Sequence, residues 1–385
     1  MTIFDELGVR GVINGVGPAT RLGGLPLSDE VWQAMREAVR TPVHLAELQE
    51  AAGREIARLL DVPAAYVTSG ASAALTLAAA VCMTGDDAAR IDELPRATTF
   101  PHRVVVQRGH RDPYDRAIEA AGGVLVEIGY PGTTHPGELE AALDERVAAV
   151  LFRPGGPGNL LDLSTTCTLA HARAIPVIVD GALVVPPARA LHALLDAGAD
   201  LVAVSGGKGL RGPQASGLLV GRPELVAAAG LHHQDMDERA TTWHHAPRTP
   251  PRHGVARGMK TGREQIAGLV AAVRRHVRDP QSDHTEGVAE LDRAAALLEN
   301  DGRLVVTRTL HAQLDVPVVE IRFAPGIDVD TVVTDLRALP TPVHLGEERA
   351  QAATLTINPM ALQPGHGEQL ARSVLDVMSR LAGRP

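Results

Sequence analysis

The chain has 385 residues, of which 45% are hydrophobic, so we predict a globular protein with a large core and two domains. Its formal net charge of −9 gives no general attraction to nucleic acid or to anionic membrane, and we expect neither as a partner. Two cysteines are too few for a disulfide framework, and no signal peptide or apolar run of membrane-spanning length is visible, which predicts a cytoplasmic location.

The first 45 residues are predicted to form an N-terminal arm and a helix. The segment 15–24 is too rich in glycine for regular structure. Ser28 is suited to cap a helix that runs to about Val39, because its hydroxyl accepts a hydrogen bond from the first turn. A further helix is predicted from about Leu45 to Leu60.

From Ala65 onward, short apolar runs alternate with amphipathic stretches. The predicted strands cover residues 67–69, 104–106, 124–126, 147–152, 177–179, 201–204 and 217–220. The predicted helices cover residues 71–83, 114–121, 136–143, 164–173 and 191–197. This alternation predicts an α/β domain whose mostly parallel sheet is covered by helices on both faces. Ligands of such sheets bind beyond the carboxyl ends of the strands.

Residues 231–257 interrupt the alternation and are predicted to form a long loop, because they are polar and contain prolines. The loop contains the histidines His232, His233, His244, His245 and His253. Adjacent histidine pairs lack the spacing of a zinc motif, so we expect a lid or substrate loop and no metal site.

A helix over 266–278 is predicted to lead into a smaller α+β domain. Its predicted strands and helices cover residues 304–307, 316–323, 329–338, 354–357 and 368–381. The expected division is an arm and helix over 1–45, a large domain over 46–257, and a linker helix with a small domain over 258–385.

The candidate chemistry centres on Lys208, which lies in a Ser-Gly-Gly-Lys turn after an apolar strand. Glycines on both sides allow another molecule to approach the backbone closely. Asp180 ends the preceding strand; alone it is a common helix cap, but beside such a lysine it suits pyridoxal 5′-phosphate (PLP). The lysine amine would form a Schiff base with the cofactor, and the carboxylate would keep its pyridine nitrogen protonated.

Two further turns are candidates for holding the cofactor. Small residues over Ser69, Gly70, Ala71 and Ser72 join a strand to a helix, which leaves backbone N–H groups free for a phosphate, although many such turns look alike. Ser205 is a second candidate phosphate donor. His110 follows a strand and is a candidate to lie on the cofactor ring, because only 2% of the residues are aromatic. The alternative for His110 is a surface histidine that caps the next helix.

Arg21, Arg211 and Gln214 are candidates for binding the substrate. A guanidinium binds a carboxylate or phosphate with two parallel hydrogen bonds, although most arginines are simply solvated. Arg21 lies in the glycine-rich arm, whereas Arg211 and Gln214 follow the lysine turn.

Together these segments resemble the fold-type I PLP enzymes of the aspartate aminotransferase superfamily. Within that superfamily they resemble the branch related to bacterial L-seryl-tRNA(Sec) selenium transferase, and most of all the D-glucosaminate-6-phosphate ammonia-lyase group. The segments that carry the resemblance are 12–15, 68–74, 107–111, 179–182, 205–214 and 258–264.

The resemblance implies a seven-stranded sheet, with Lys208 as Schiff-base lysine, Asp180 as pyridine partner and His110 stacked on the ring. It also implies that Ser69–Ser72 bind the phosphate and that the chain forms a homodimer or larger ring. Many superfamily members carry an asparagine that contacts the phenolic oxygen of the cofactor. Here that region is 153–159, with Asn159 a few residues late, and the contact has no assigned residue.

The reaction expected from these residues is α,β-elimination on a small amino acid or amino sugar acid, which releases ammonia and a 2-keto acid. Racemisation or epimerisation, aldol cleavage and amino transfer start from the same lysine and stay open. A tRNA-dependent selenium transferase is less expected, because the chain has no basic stripe. A non-catalytic PLP-binding protein is the remaining alternative.

Overall fold

A computed structural model describes the chain in two compact units, Leu27–Arg278 and Met1–Pro26 with Asp279–Pro385. The described residues are 2–156, 158–184, 188–235, 237, 239, 241–242, 252–280, 282–311 and 313–382. Among these residues, no helix is long and apolar enough to cross a membrane.

Strands and helices alternate along most of the described chain. The strands are β1 Ile13–Gly15, β2 Ala65–Thr68, β3 Arg103–Gln107, β4 Val124–Ile128, β5 Val147–Phe152, β6 Val177–Asp180, β7 Leu201–Ser205, β8 Gly217–Gly221, β9 Leu304–Leu310, β10 Pro317–Phe323, β11 Val343–Leu345 and β12 Thr354–Ile357. The helices are α1 Ile3–Glu6, α2 Asp29–Ala38, α3 Leu45–Leu60, α4 Ala71–Thr84, α5 Ala88–Glu93, α6 Arg116–Ala120, α7 Pro136–Ala142, α8 Leu163–His171, α9 Ala188–Asp196, α10 Pro223–His233, α11 Arg263–Arg278, α12 Ser282–Leu298, α13 Val329–Ala338 and α14 His366–Ala382.

The unit 27–278 is built on a seven-stranded sheet of order β2-β8-β7-β6-β5-β3-β4. The pairs β3–β4, β3–β5, β5–β6 and β6–β7 are parallel, whereas β8 runs antiparallel to both β2 and β7. This sheet confirms the predicted α/β class with a mostly parallel sheet of seven strands.

Both faces of this sheet are buried, as the continuous apolar runs of its central strands predict. Side chains alternate along β5, so Val150 and Phe152 join one core cluster while Ala149 and Leu151 join the other. Helix α4 covers the second face and is buried on nearly all sides.

The second unit is α+β, as expected. Strands β12, β10 and β9 form an antiparallel sheet, and β1 pairs with β11 in a separate parallel pair. Helices α12, α13 and α14 contribute to the core of this unit, which includes Ile321, Leu355 and Val374.

The segment expected as one loop over 231–257 begins instead inside helix α10, which carries His232 and His233 at its buried end. Strand β1 likewise includes Gly15, which lies in the segment expected to lack regular structure. His244 and His245 lie outside the described residues, and His253 is exposed.

The two units divide the chain at 26 and 278, not at the expected 45 and 257. The cause is packing, because the helices at both ends of the larger unit, α2 and α11, lie against each other.

Candidate active site

The carboxyl ends of the central strands meet at one edge of the large sheet. Strand β7 ends at Ser205, β6 at Asp180 and β5 at Phe152, with Asp180 paired in register with Ala203. Strand β2 ends at Thr68, which lies opposite Gly217 at the start of β8. The sheet order therefore brings the turns after β2, β7, β6, β5 and β3 to the same edge.

The turn that carries Lys208 is tightly packed. A Cβ added at Gly206 would lie 2.3 Å from Ser216 Oγ, and one at Gly207 would lie 2.8 Å from Gln214 Cα. Arg211 adopts a left-handed φ of 51°, and its N–H donates to the Lys208 carbonyl at 2.9 Å. The backbone of Gln214 thus supports the turn, while the residue itself is exposed.

Burial lowers the pKa of the Lys208 amine, while the nearby carboxylates of Asp180 and Asp112 oppose the shift. Among the described residues, none forms a hydrogen bond or ion pair with this amine. A larger fraction of Lys208 is therefore uncharged near neutral pH than of an exposed lysine.

The Asp180 carboxylate is largely buried, with 11% of its side chain exposed. Its Oδ1 accepts from the Ala182 N–H at 3.3 Å, and its Oδ2 accepts from Arg153 Nε at 3.1 Å. The carboxylate is thus fixed in orientation at the end of β6 and lies beside a cation.

Arg153 follows β5 directly and was not singled out from the sequence. Its Nη1 donates to Asp115 Oδ1 at 2.7 Å and to the His110 carbonyl at 2.5 Å. Its Nη2 is buried and has no hydrogen-bond partner among the described residues. Burial alone would raise the pKa of Asp115, but hydrogen bonds from Arg111 and Arg153 outweigh it and lower the pKa.

His110 is only 4% exposed. Its ring packs edge-on against Phe152 with centroids 4.7 Å apart, and a Cβ at Gly156 would lie 3.0 Å from its Cδ2. Burial and the charge of Arg153 lower its pKa to about 4, so the imidazole is neutral at pH 7. Phe152 and the Gly156 backbone lie close to the imidazole.

The turn between β2 and α4 offers free backbone donors. Gly70 precedes α4 with a φ of 132°, and no side chain caps the helix. Open space surrounds the position of a Cβ on Gly70. Ser72 is exposed, whereas the Ser69 hydroxyl donates to the Met259 carbonyl at 2.7 Å. The helix N-terminus is thus available to an anion.

Arg21 belongs to the other unit. Its Nη2 lies 3.8 Å from Glu347, and its Nη1 lies 3.4 Å from His344 Nδ1. It lines a cavity of about 480 Å³ together with Arg337 and Glu348. Its charge is therefore partly matched within its own unit.

Two other features of the larger unit lie apart from the residues at the sheet edge. A cavity of about 1060 Å³ opens between α3 and α10. Asp235, Asp237 and His253 form an exposed cluster, in which Asp235 accepts from Arg257 at 2.7 Å. Neither feature contains a residue of the lysine turn.

No protein-family model matched the chain. It is 29% identical over 404 residues to the 5′-C-glycyluridine monooxygenase-decarboxylase of a Streptomyces species, covering 99% of this chain and 93% of that protein. It is 32% identical over 278 residues to the D-glucosaminate-6-phosphate ammonia lyase of Salmonella typhimurium, covering 70% of this chain and 69% of that enzyme.

A solved structure of a D-glucosaminate-6-phosphate ammonia-lyase matches with a TM-score of 0.85 and 26% identity over 99% of both chains. The L-seryl-tRNA(Sec) selenium transferase of Escherichia coli is 25% identical, covering 100% of this chain and 79% of that protein.

Proposed function

Because this chain belongs to the PLP-dependent family of D-glucosaminate-6-phosphate ammonia lyase, we propose that it eliminates ammonia from an amino sugar acid or a small amino acid. The family confirms the resemblance, the fold type and the cofactor expected from the sequence. The substrate is a small molecule. The observation that carries the proposed reaction is the partly buried Lys208 amine near Asp180 at the edge of the sheet.

The residues at this edge suit PLP. The free helix N-terminus at Gly70 has room for the phosphate, and Lys208 offers an amine without a described partner. Asp180 offers a buried carboxylate for the ring nitrogen. His110 lies at the same edge of the sheet with its ring edge-on against Phe152, and its place on the cofactor ring stays a prediction.

When bound, PLP supplies an aldehyde that links to amines and a ring that accepts the electron pair of a bond broken at the α-carbon. Lys208 takes the proton from the substrate α-carbon, because burial favours its uncharged form, and loss of a substituent from the β-carbon completes the α,β-elimination. Asp180 keeps a proton on the ring nitrogen. Hydrogen bonds from the Ala182 N–H and Arg153 hold the Asp180 carboxylate in position for this role. The N–H groups at the start of α4 hold the phosphate.

The chain offers a matched control for the role of Lys208, because its only other lysine is Lys260, which is exposed. We expect Lys208→Ala to lose covalent attachment of PLP, read by mass spectrometry after borohydride reduction, and to release no ammonia or keto acid. Lys260→Ala should keep both. A Lys208→Ala protein with normal turnover would disprove the mechanism.

The substrate is found with a panel of amino sugar acids, their phosphates and amino acids, read as ammonia and 2-keto acid. In deuterated water, α-proton exchange without keto acid would indicate racemisation instead. Aldehyde release would indicate aldol cleavage, and dependence on an added keto acid would indicate amino transfer.

A second candidate is oxidative decarboxylation of a nucleoside-linked amino acid. It is favoured by the likeness to the Streptomyces monooxygenase-decarboxylase, which extends over 99% of this chain. This reaction consumes oxygen and releases carbon dioxide, whereas ammonia elimination proceeds without oxygen. Assays with 5′-C-glycyluridine and with amino sugar acids, each with and without oxygen, distinguish the two.

Homo-oligomer formation in the cytoplasm completes the proposal. Four large apolar side chains of the first ten residues, Ile3, Phe4, Leu7 and Val9, are more than half exposed, which suits burial against another copy. Both cysteines are free. Light scattering after size exclusion tests the assembly, and a monomer at micromolar concentration would contradict it.

A further inference from the structure

The guanidinium of Arg153 bridges two buried carboxylates and still has a donor to spare. Nε holds Asp180 and Nη1 holds Asp115, and both carboxylate side chains are at most 11% exposed. Nη2 is buried and has no partner among the described residues. A buried charged donor without an acceptor is costly, so the Nη2 position calls for one.

The geometry of a guanidinium fixes the direction of one N–H bond of Nη2 relative to Asp180. The Nε–H bond and one N–H bond of Nη2 are parallel and lie on the same edge of the planar group. Arginine binds a carboxylate with two hydrogen bonds through this pair. In Arg153 the Nε of that edge donates to Asp180. One N–H of Nη2 is therefore directed toward the Asp180 side of the arginine, parallel to the Nε–H bond.

PLP carries one polar group without a donor among the residues assigned above. In the proposed site, the aldehyde is assigned to Lys208, the ring nitrogen to Asp180 and the phosphate to the turn before α4. The phenolic oxygen of the ring is the remaining acceptor. The site thus holds one unmatched donor and the cofactor brings one unmatched acceptor.

We propose that Arg153 is a cofactor-positioning residue, which holds Asp180 through Nε and donates from Nη2 to the phenolic oxygen of PLP. This inference rests on the proposed function, since it requires the cofactor. A single side chain would then position two groups of the ring, the nitrogen through Asp180 and the phenolic oxygen directly. It also places a positive charge beside the carboxylate that holds the ring nitrogen's proton.

The test is PLP binding to apoenzyme without substrate, followed by absorbance, for the wild type, Arg153→Gln and Arg153→Lys. Arg153→Gln should bind PLP roughly 10- to 100-fold more weakly, the factor for one lost charge-assisted hydrogen bond, and should shift the visible absorption band. Arg153→Lys keeps a positive charge near both carboxylates but loses the planar guanidinium with its parallel donors. It should therefore shift the visible absorption band while its thermal midpoint stays near that of the wild type.

Two controls separate positioning from structure. Arg108→Gln removes a half-exposed arginine near the same edge, paired with Glu127, and should leave PLP binding and the band unchanged. Asp115→Asn removes the other ion pair of Arg153 and should lower the thermal midpoint without moving the band.

Wild-type affinity and an unshifted band in Arg153→Lys or Arg153→Gln would overturn the inference, as would an equal band shift in Asp115→Asn. If Arg153→Gln fails to fold, Arg153→Lys decides. A wild-type protein that takes up no PLP would instead remove the proposed function on which the inference rests.

Discussion

Replacing Gly217 with alanine tests whether the turn before α4 holds the cofactor. A Cβ at Gly217 would lie 2.5 Å from the carbonyl carbon of Gly70 and 2.8 Å from Val204 O. Both are backbone atoms, so no side chain can rotate away. Overpacking of this kind costs about 1–3 kcal/mol. If the Gly70 turn absorbs the displacement, PLP binding weakens by roughly 5- to 150-fold.

The assay is titration of apoenzyme with PLP, followed by absorbance, with the thermal midpoint of the apoenzyme measured in parallel. Gly137→Ala is the matched control, because a Cβ there meets nothing within 4 Å. It should bind PLP like the wild type. A Gly217→Ala protein with a lower midpoint but unchanged PLP affinity would show that Val204 yields instead, and would refute the assignment of the phosphate to this turn.

Three further predictions concern titratable groups. Burial lowers the pKa of His232 to about 4, so its contribution to stability is complete above pH 6.5 and is lost as pH falls toward 4. Unfolding by denaturant should show that the free energy of unfolding of the wild type falls by about 3 kcal/mol more than that of His232→Gln between pH 6.5 and pH 4. The rate at which apoenzyme takes up PLP should rise with pH through a midpoint below the ordinary lysine value of 10.5, because burial lowers the pKa of Lys208; a midpoint at or above that value contradicts the argument. Asp180→Asn should bind PLP but turn over roughly 10²- to 10⁴-fold more slowly, and an unchanged kcat would exclude the proton-holding role.

The alternation of strands and helices was readable from the sequence because a parallel sheet buries both faces of its strands. The predicted bounds of β5, α13 and β12 coincide with the structure. Asp180 and Lys208 were readable as site candidates for the same reason, since Asp180 ends one apolar strand and Lys208 lies in the turn after the next.

Helices α10 and α12 were not foreseen because their patterns are obscured. Helix α10 is rich in alanine and apolar on most sides, and its final histidines look like the start of a polar loop. Helix α12 contains Gly287, where a Cβ would lie 2.3 Å from the carbonyl oxygen of Pro359. Such a close approach is set by tertiary packing, which no local pattern reveals.

Arg153 shows which kind of site residue cannot be predicted from the sequence alone. Its position directly after β5 was a signal, but an arginine in a glycine-rich segment is usually solvated. What distinguishes it is burial between Asp115 and Asp180, and these two partners lie 38 and 27 residues away along the chain. Only the strand order brings the three together.

The antiparallel strand β8 also constrains how the protein assembles during synthesis. Strand β2 has a single neighbour in its sheet, β8, and Ala65 pairs with Val220. The turn before α4 follows β2 directly, so its position depends on a contact between segments far apart in the chain. Closing so long a loop is slow, because its entropic cost precedes the gain from pairing. We therefore expect a nascent chain to complete the proposed phosphate-binding turn only after β8 has left the ribosome, which would make cofactor loading a late step of folding.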